Sequence, residues 1–354
     1  MTRDYAPFQS KKIVLCANID LKELIETYDS DVFDDFIWIN RKRLLNEFWY
    51  RFKVLRQVKQ LGAEVAIHPT YGREPYLGDC LMRATCAPQR IGREAIQNPY
   101  ASNPKLINPY PAIADLCYTR LLKEDHHVTF DFYRNRYFFS NVLPGVPLPQ
   151  NTRLNPIPVP VPEIPGPFAV MFPGASEAFR EWPPECFAQV ARYLFLTHGL
   201  RSIVLGSKAD RVKGQAIVQA ASDVPVNDFC GRLTLPQVVY LMSLCRIGLA
   251  NDSGGVHGLA AVGKPGVAIS NTYSFGFFHP YPQEISDMVS FVYPPAFYAL
   301  DLPWAQRKEI YGRKKHFSIT DVSTAIVIER IAAVLRGNRE IDPIQASCDE
   351  ASSS

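Results

Sequence analysis

The residues best placed to do chemistry lie in one run, ANDSGGVHGLAA at 250–261. The apolar stretch 246–250 ahead of it predicts a short buried strand. The small, apolar 256–262 predicts a helix packed on a sheet. Between them Asp252 or Ser253 can cap the helix, and Gly254 and Gly255 leave backbone N–H groups uncovered. A helix start behind a strand is a ready anion site, because its free N–H groups and its dipole favour phosphate. His257 falls in the first turn and faces the same place. The same residues also fit a purely structural cap with His257 as a satisfied polar neighbour, so the choice rests on what surrounds them.

Four more turns of this kind surround the run. Strands are expected at 168–172, 202–205, 225–229, 246–250 and 265–270. They are followed by PGAS (173–176), GSKAD (206–210), GR (231–232), NDSG (251–254) and SNT (270–272). In open α/β sheets ligands bind outside the carboxyl ends of the strands, where such turns gather. Arg180, between the first turn and its helix, can reach a phosphate with a bidentate fork. Asp210, at a helix start, either accepts from a ribose hydroxyl or caps the helix. The chain has no GxxxxGK[ST] loop, no GxGxxG after a strand and no GxSxG elbow. P-loop ATPases, dinucleotide dehydrogenases and serine hydrolases therefore lose ground. The picture left is a site that neutralises a diphosphate with helix ends and one arginine, with no metal and no cofactor.

The elements that position these turns alternate strand and helix, which argues for parallel, doubly wound sheets. Helices are expected at 184–198, 210–221, 235–245 (capped by Thr234) and 319–335. In the front of the chain strands are expected at 12–17, 35–40 and 64–68, with helices at 21–28, 43–60, 80–86 and 111–124. The stretch 130–142 mixes aromatics with Arg134 and Arg136. It reads either as a nucleic-acid or sugar platform or as a helix packed on a domain edge. Six prolines in 155–167 exclude a helix there and predict an extended, semi-rigid linker. The expected domains are 1–150, an α/β unit; 151–167, the linker; 168–336, a second α/β unit that carries the ligand-type turns; and 337–354, a polar disordered tail.

At 354 residues, 47% hydrophobic and 21% charged, the chain has material for two globular domains. A net charge of +3 is too small to argue for nucleic acid. Eight cysteines are scattered without CxxC or His–Cys metal spacing, which reads as reduced thiols in a cytoplasmic protein. Neither a signal peptide nor an apolar run of about 18 residues is evident, and contact with the inner membrane face remains compatible with the charge.

The set FPGAS (172–176), REWP (180–183), FCGRLTL (229–235), NDSG (251–254), HGLAA (257–261) and GKP (263–265) resembles the heptosyltransferases of glycosyltransferase family 9. The resemblance implies two Rossmann-like domains of the GT-B type, 1–150 on the acceptor side and 168–336 binding the nucleotide sugar. It also implies inverting, metal-independent transfer of a sugar from a nucleotide-diphosphate donor, ADP-heptose or similar, to lipopolysaccharide or another glycan. Carried over by position, Ser176 meets the diphosphate, and Arg180 stands where the family usually has Lys. Asp210 meets the ribose and Leu233 borders the base. Asp252, Ser253, Gly254 and His257 line the diphosphate and sugar. The family begins with a strand and a Gly-Asp turn whose Asp is held to be the base. No such turn precedes 12–40, so the first domain is expected to be incomplete or rearranged and the catalytic residue is unassigned. Asp20 is a possible substitute. A non-catalytic or impaired nucleotide-sugar-binding relative stays open, as does a nucleotide-sugar epimerase.

Overall fold

The computed structural model describes residues 9–94, 111–123, 130–311 and 315–337. Residues 338–354 of the expected tail fall outside these residues. The chain divides into two compact units, Met1–Pro149 and Gln150–Ser354.

In the first unit β1 (Val14–Asn18) pairs in parallel with β2 (Asp35–Ile39), and α1 (Lys22–Tyr28) connects them. There follow α2 (Arg41–Asn46), α3 (Phe48–Gln60), β3 (Val65–His68), α4 (Cys80–Ala84), β4 (Gln89–Arg93), α5 (Pro111–Asp115), β5 (Arg120–Leu122) and α6 (Asp131–Val142). β3, β4 and β5 form a second parallel sheet in that order. Among the described residues no backbone ladder joins the two sheets, although Lys11 and Glu64, just ahead of β1 and β3, are bridged at 2.6 Å. Among the described residues β1 and β3 each pair on one side only, and neither is fully buried at any position.

Two expectations change here. The helix over 43–60 is two helices, because Glu47 is extended (φ −110°, ψ 109°). Asn40 starts the first of them by accepting the Arg43 N–H at 3.0 Å, while its own N–H donates to the Tyr50 hydroxyl at 2.9 Å. The helix over 111–124 stops at Asp115, and 120–122 becomes β5 because it finds the free edge of β4. On α6 the reading as a packed helix holds. Phe138 and Val142 join Ile91 and Leu143 in a core cluster, and Arg134 lies buried with its guanidinium 2.7 Å from the Tyr71 ring centroid.

The second unit carries one six-stranded parallel sheet. Its elements are β6 (Phe168–Phe172), α7 (Pro184–His198), β7 (Arg201–Val204), α8 (Arg211–Ala220), β8 (Val226–Asp228), α9 (Leu235–Leu244), β9 (Ile247–Asn251), α10 (Gly254–Val262), β10 (Gly266–Ile269), β11 (Val289–Val292), α11 (Pro295–Tyr298), α12 (Trp304–Tyr311) and α13 (Thr324–Leu335). The strand order is β11-β10-β9-β6-β7-β8. From β6 the chain winds outward through β7 and β8, then restarts on the other side at β9, so the order reverses between β6 and β9.

Side chains alternate along each strand. Met171, Leu249 and Ile269 meet Phe187, Leu194, Ile217, Val327 and Ile331 from α7, α8 and α13 in one core. The opposite face takes α10 at very short range. A Cβ on Gly248 would lie 2.2 Å from Leu259, and one on Gly255 would lie 2.4 Å from Phe172. Only glycine lets the start of α10 sit directly on the ends of β6 and β9. The 155–167 stretch has no regular element; it is tied to this unit by Gln237 Nε2 donating to Pro160 O at 2.7 Å, and by the neighbouring Leu154 N–H donating to Ala261 O at 2.8 Å. The seven described cysteines are all free.

Candidate functional site

In the second unit all five turns leave the same edge of the sheet, since all six strands run parallel. The turns after β6 and β9 flank the point of reversal, where a doubly wound sheet opens a crevice. Two residues stitch these two turns together, and a third ties them to the loop after β10. Asn251, wholly buried, donates to Pro173 O at 2.7 Å and accepts from the Trp182 N–H at 3.1 Å. Arg180 donates through Nη1 to Ser176 Oγ at 3.1 Å and through Nη2 to the Asp252 carboxylate at 2.9 Å and to its carbonyl. His279 Nε2 is 3.1 Å from the same Asp252 Oδ2, and a carboxylate only accepts, so that nitrogen carries the proton. His279 Nδ1 is 2.9 Å from the Tyr293 hydroxyl.

Burial alone would raise the Asp252 pKa. The His279 and Arg180 contacts, with His257 behind them, outweigh burial and hold it well below the usual carboxylate range. Asp252 therefore carries a full negative charge that Arg180 faces. Among the described residues the Arg180 Nε has no hydrogen-bond partner. Beside this pair Ser253 starts α10 with an extended backbone and no side-chain capping bond. The N–H groups of Gly254 and Gly255 are among those a helix cannot satisfy internally. A Cβ on Gly254 would meet nothing within 4 Å, so open space lies there. His257 is one turn in, its Nδ1 2.6 Å from the Tyr281 hydroxyl. Burial, aided by the Asp252 charge, raises the Tyr281 pKa and keeps its proton in place.

Asp210 shows its capping role. Its Oδ2 accepts from the Ser207 N–H at 2.8 Å and from Ser207 Oγ at 2.7 Å, and its Oδ1 accepts from Lys213 at 3.0 Å. Lys213 also pairs with Glu181 at 2.7 Å, and Glu181 accepts from the Ala175 N–H at 3.3 Å. This network supports the 173–176 turn from below. Leu233, partly buried, lies between β8 and the capping box of Thr234 and Gln237 that opens α9. Ser176, Arg180, Asp252, Ser253, Gly254 and His257 thus belong to the two turns at the reversal and the start of α10. Asp210 and Leu233 belong to the loops after β7 and β8.

Residues 149–295 match the family model for glycosyltransferase family 9 (heptosyltransferase). That segment is heptosyltransferase-like. Over 104 residues it is 30% identical to lipopolysaccharide heptosyltransferase 2 of Salmonella typhimurium, a stretch covering 28% of this chain and 30% of that relative. Whole-chain likeness is one of fold. A family 9 glycosyltransferase from Veillonella parvula superposes with a TM-score of 0.67 at 18% identity, over 95% of this chain and 91% of that one. E. coli ADP-heptose lipopolysaccharide heptosyltransferase II gives 0.64 at 17% identity, over 94% and 92%. The architecture is thus α/β with parallel sheets, matching the GT-B heptosyltransferases. Among the described residues no helix is long and apolar enough to cross a membrane.

The sequence reading missed a buried polar chain in the first unit. Arg73 and Asp79, each 2% exposed, pair at 2.9 Å. Arg73 also donates to Asp115 at 2.6 Å and to Arg93 O at 3.1 Å, and the Tyr118 hydroxyl donates to Asp79 at 2.7 Å. His68, ending β3, places Nδ1 2.6 Å from Tyr118 oxygen. Because the Tyr118 proton goes to Asp79, Nδ1 is the donor and Nε2 carries the lone pair. Burial pushes His68 down to about 4, with Asp79 opposing and Arg73 and Arg93 adding. The signal in the sequence was a histidine closing a strand and followed by PTYGRE (69–74), which no spacing rule marks. The sequence also holds an Asp-x-Asp triplet at Asp29 and Asp31, in the turn that leads to the amino end of β2, away from the strand ends that gather ligands.

Proposed function

We propose that the chain is a glycosyltransferase that moves a sugar, heptose or similar, from a nucleotide-diphosphate donor to lipopolysaccharide or another glycan acceptor. The observation that carries this reading is the reversal between β6 and β9, where a largely buried Arg180 and the open start of α10 converge. The donor diphosphate lies against Ser176, Arg180, Ser253 and Gly254, with His257 toward the sugar. Leu233 borders the base, and an ADP-sugar is the favoured donor. Asp252 acts through Arg180, fixing the fork in place before the ligand arrives. Transfer is one inverting displacement without a metal. The acceptor hydroxyl loses its proton to a base as its oxygen bonds the anomeric carbon. The bond to the diphosphate breaks, and Arg180 and the α10 N-terminus stabilise the charge left on it. The base is unassigned; Asp20, which follows β1, and His68, which ends β3, are titratable groups at strand ends of the first unit. The enzyme works in the cytoplasm.

The divided sheet of the first unit favours a second reading, a relative that binds a nucleotide sugar without transferring it. Incubation with ADP-heptose and a heptose-deficient lipopolysaccharide core separates the two. Release of ADP with a sugar-extended core supports transfer; ADP-heptose bound and recovered intact supports the second reading.

A further inference from the structure

The segment 41–60 carries seven cations and one carboxylate, a net +6, whereas the whole chain is only +3. The rest of the protein is therefore net negative, and the positive charge is concentrated on α2 and α3. Two of these cations are spent at home: Arg41 on Glu74 at 2.7 Å and Arg43 on Glu47 at 2.8 Å. Arg51 donates to Tyr76 O at 3.0 Å. Lys42, Lys53, Arg56 and Lys59 make no ion pair among the described residues and all are exposed.

The same helix exposes its largest apolar side chains. Phe48 is 71% exposed, Trp49 77% and Phe52 54%, all in the first two turns of α3, with Tyr76 51% exposed. Val54 and Val58, on the other face, are buried with Ile37, Ile39 and Leu44. The aromatics are therefore not what holds α3 on the sheet. Exposing three adjacent aromatics costs solubility that folding does not require. Aromatics at one end of a helix with lysines and arginines along the same exposed side fit a surface that is apolar beneath and anionic at its rim.

We propose that the exposed face of α3 docks on the surface of an anionic lipid bilayer, with Phe48, Trp49 and Phe52 entering the interface and Lys53, Arg56 and Lys59 meeting lipid phosphates. Charge complementarity selects this occupant: four unpaired cations beside the aromatics repel an identical face on a second copy. The inference is independent of the donor site, which lies in the other unit.

The test is co-sedimentation of the full chain with vesicles of phosphatidylglycerol and phosphatidylethanolamine, and separately of phosphatidylcholine alone. Binding to the anionic vesicles is expected, with a blue shift of tryptophan emission and loss at 0.5 M NaCl. Phe48→Ser/Trp49→Ser/Phe52→Ser abolishes it, and Lys53→Ala/Arg56→Ala/Lys59→Ala weakens it on the order of a hundred-fold. These side chains are exposed, so both variants keep the wild-type circular dichroism and nucleoside-diphosphate binding. Absence of vesicle binding, equal binding to neutral vesicles, or an aromatic-dependent dimer with no vesicle binding overturns the proposal.

Discussion

Asp252→Ala is the most informative perturbation of the second unit. Asp252 is 3% exposed and shares one oxygen between Arg180 at 2.9 Å and His279 at 3.1 Å. Its removal leaves Arg180, whose Nε already lacks a partner, as an uncompensated and largely buried cation. Breaking a buried pair from one side costs about 3–5 kcal/mol. With a urea m-value of roughly 2.5 kcal/mol/M, the unfolding midpoint falls by roughly 1.2–2 M. Tryptophan emission is a suitable probe, because Trp182 is buried beside the site with its indole N–H on Val322 O at 2.8 Å. Arg180→Ala/Asp252→Ala loses less than the two single variants added together, by at least about 1 kcal/mol, since no orphaned charge remains. A midpoint shift under about 0.4 M, or strict additivity, would refute the claim that these charges are buried against each other. The pair also fixes the acid response. With the Asp252 pKa held below its unfolded value, its contribution is fully present above about pH 4 and is lost as pH falls through the folded value.

Three further outcomes are expected. Gly255→Ala puts a Cβ 2.4 Å from Phe172 and destabilises the unit by about 1–3 kcal/mol in thermal melts, whereas Gly254→Ala, facing open space, stays within about 1 kcal/mol. His68 is neutral in the folded state down to about 4, against 6.5 unfolded, so the unfolded chain binds more protons in between. Stability therefore falls as pH drops from about 6.5 toward 4, by up to about 3 kcal/mol, and His68→Gln flattens that slope in urea titrations at pH 7 and pH 5. Ser207→Ala removes half of the capping box and costs about 0.5–2 kcal/mol while nucleotide affinity stays within about two-fold; a ten-fold loss of affinity would instead bring the Ser207–Asp210 loop into the ligand's reach.

Much of the second unit was readable because β6, β9 and β10 are fully buried, mostly apolar runs and its turns carry specific chemistry. Thr234 does cap α9, and α7 does end at Gly199. β11 was missed because the polar residues of 270–286 look like surface loop. In fact Ser270, Asn271, Thr272, Ser274, His279 and Ser286 are buried, and only the fold supplies their partners. The pairing of Arg180 with Asp252 crosses 72 positions of sequence, beyond any local pattern. In the first unit Arg73, Arg93 and Arg134 are buried, contrary to the expectation for arginine in a polar stretch. The break at Glu47 has no glycine or proline to announce it, and the three residues of β5 have too short a pattern to outvote helical spacing.

The central claim is that Arg180 and the start of α10 form a nucleoside-diphosphate site. Its most direct test is calorimetric titration of the wild-type chain and Arg180→Ala with ADP, UDP, GDP and CDP, at a temperature where both are folded. The account predicts selective binding of one nucleotide, ADP, weakened in the variant by about 1.5–3 kcal/mol, or roughly ten- to a hundred-fold. Binding that is unchanged in Arg180→Ala, or no binding of any of the four to the wild-type chain, would contradict it.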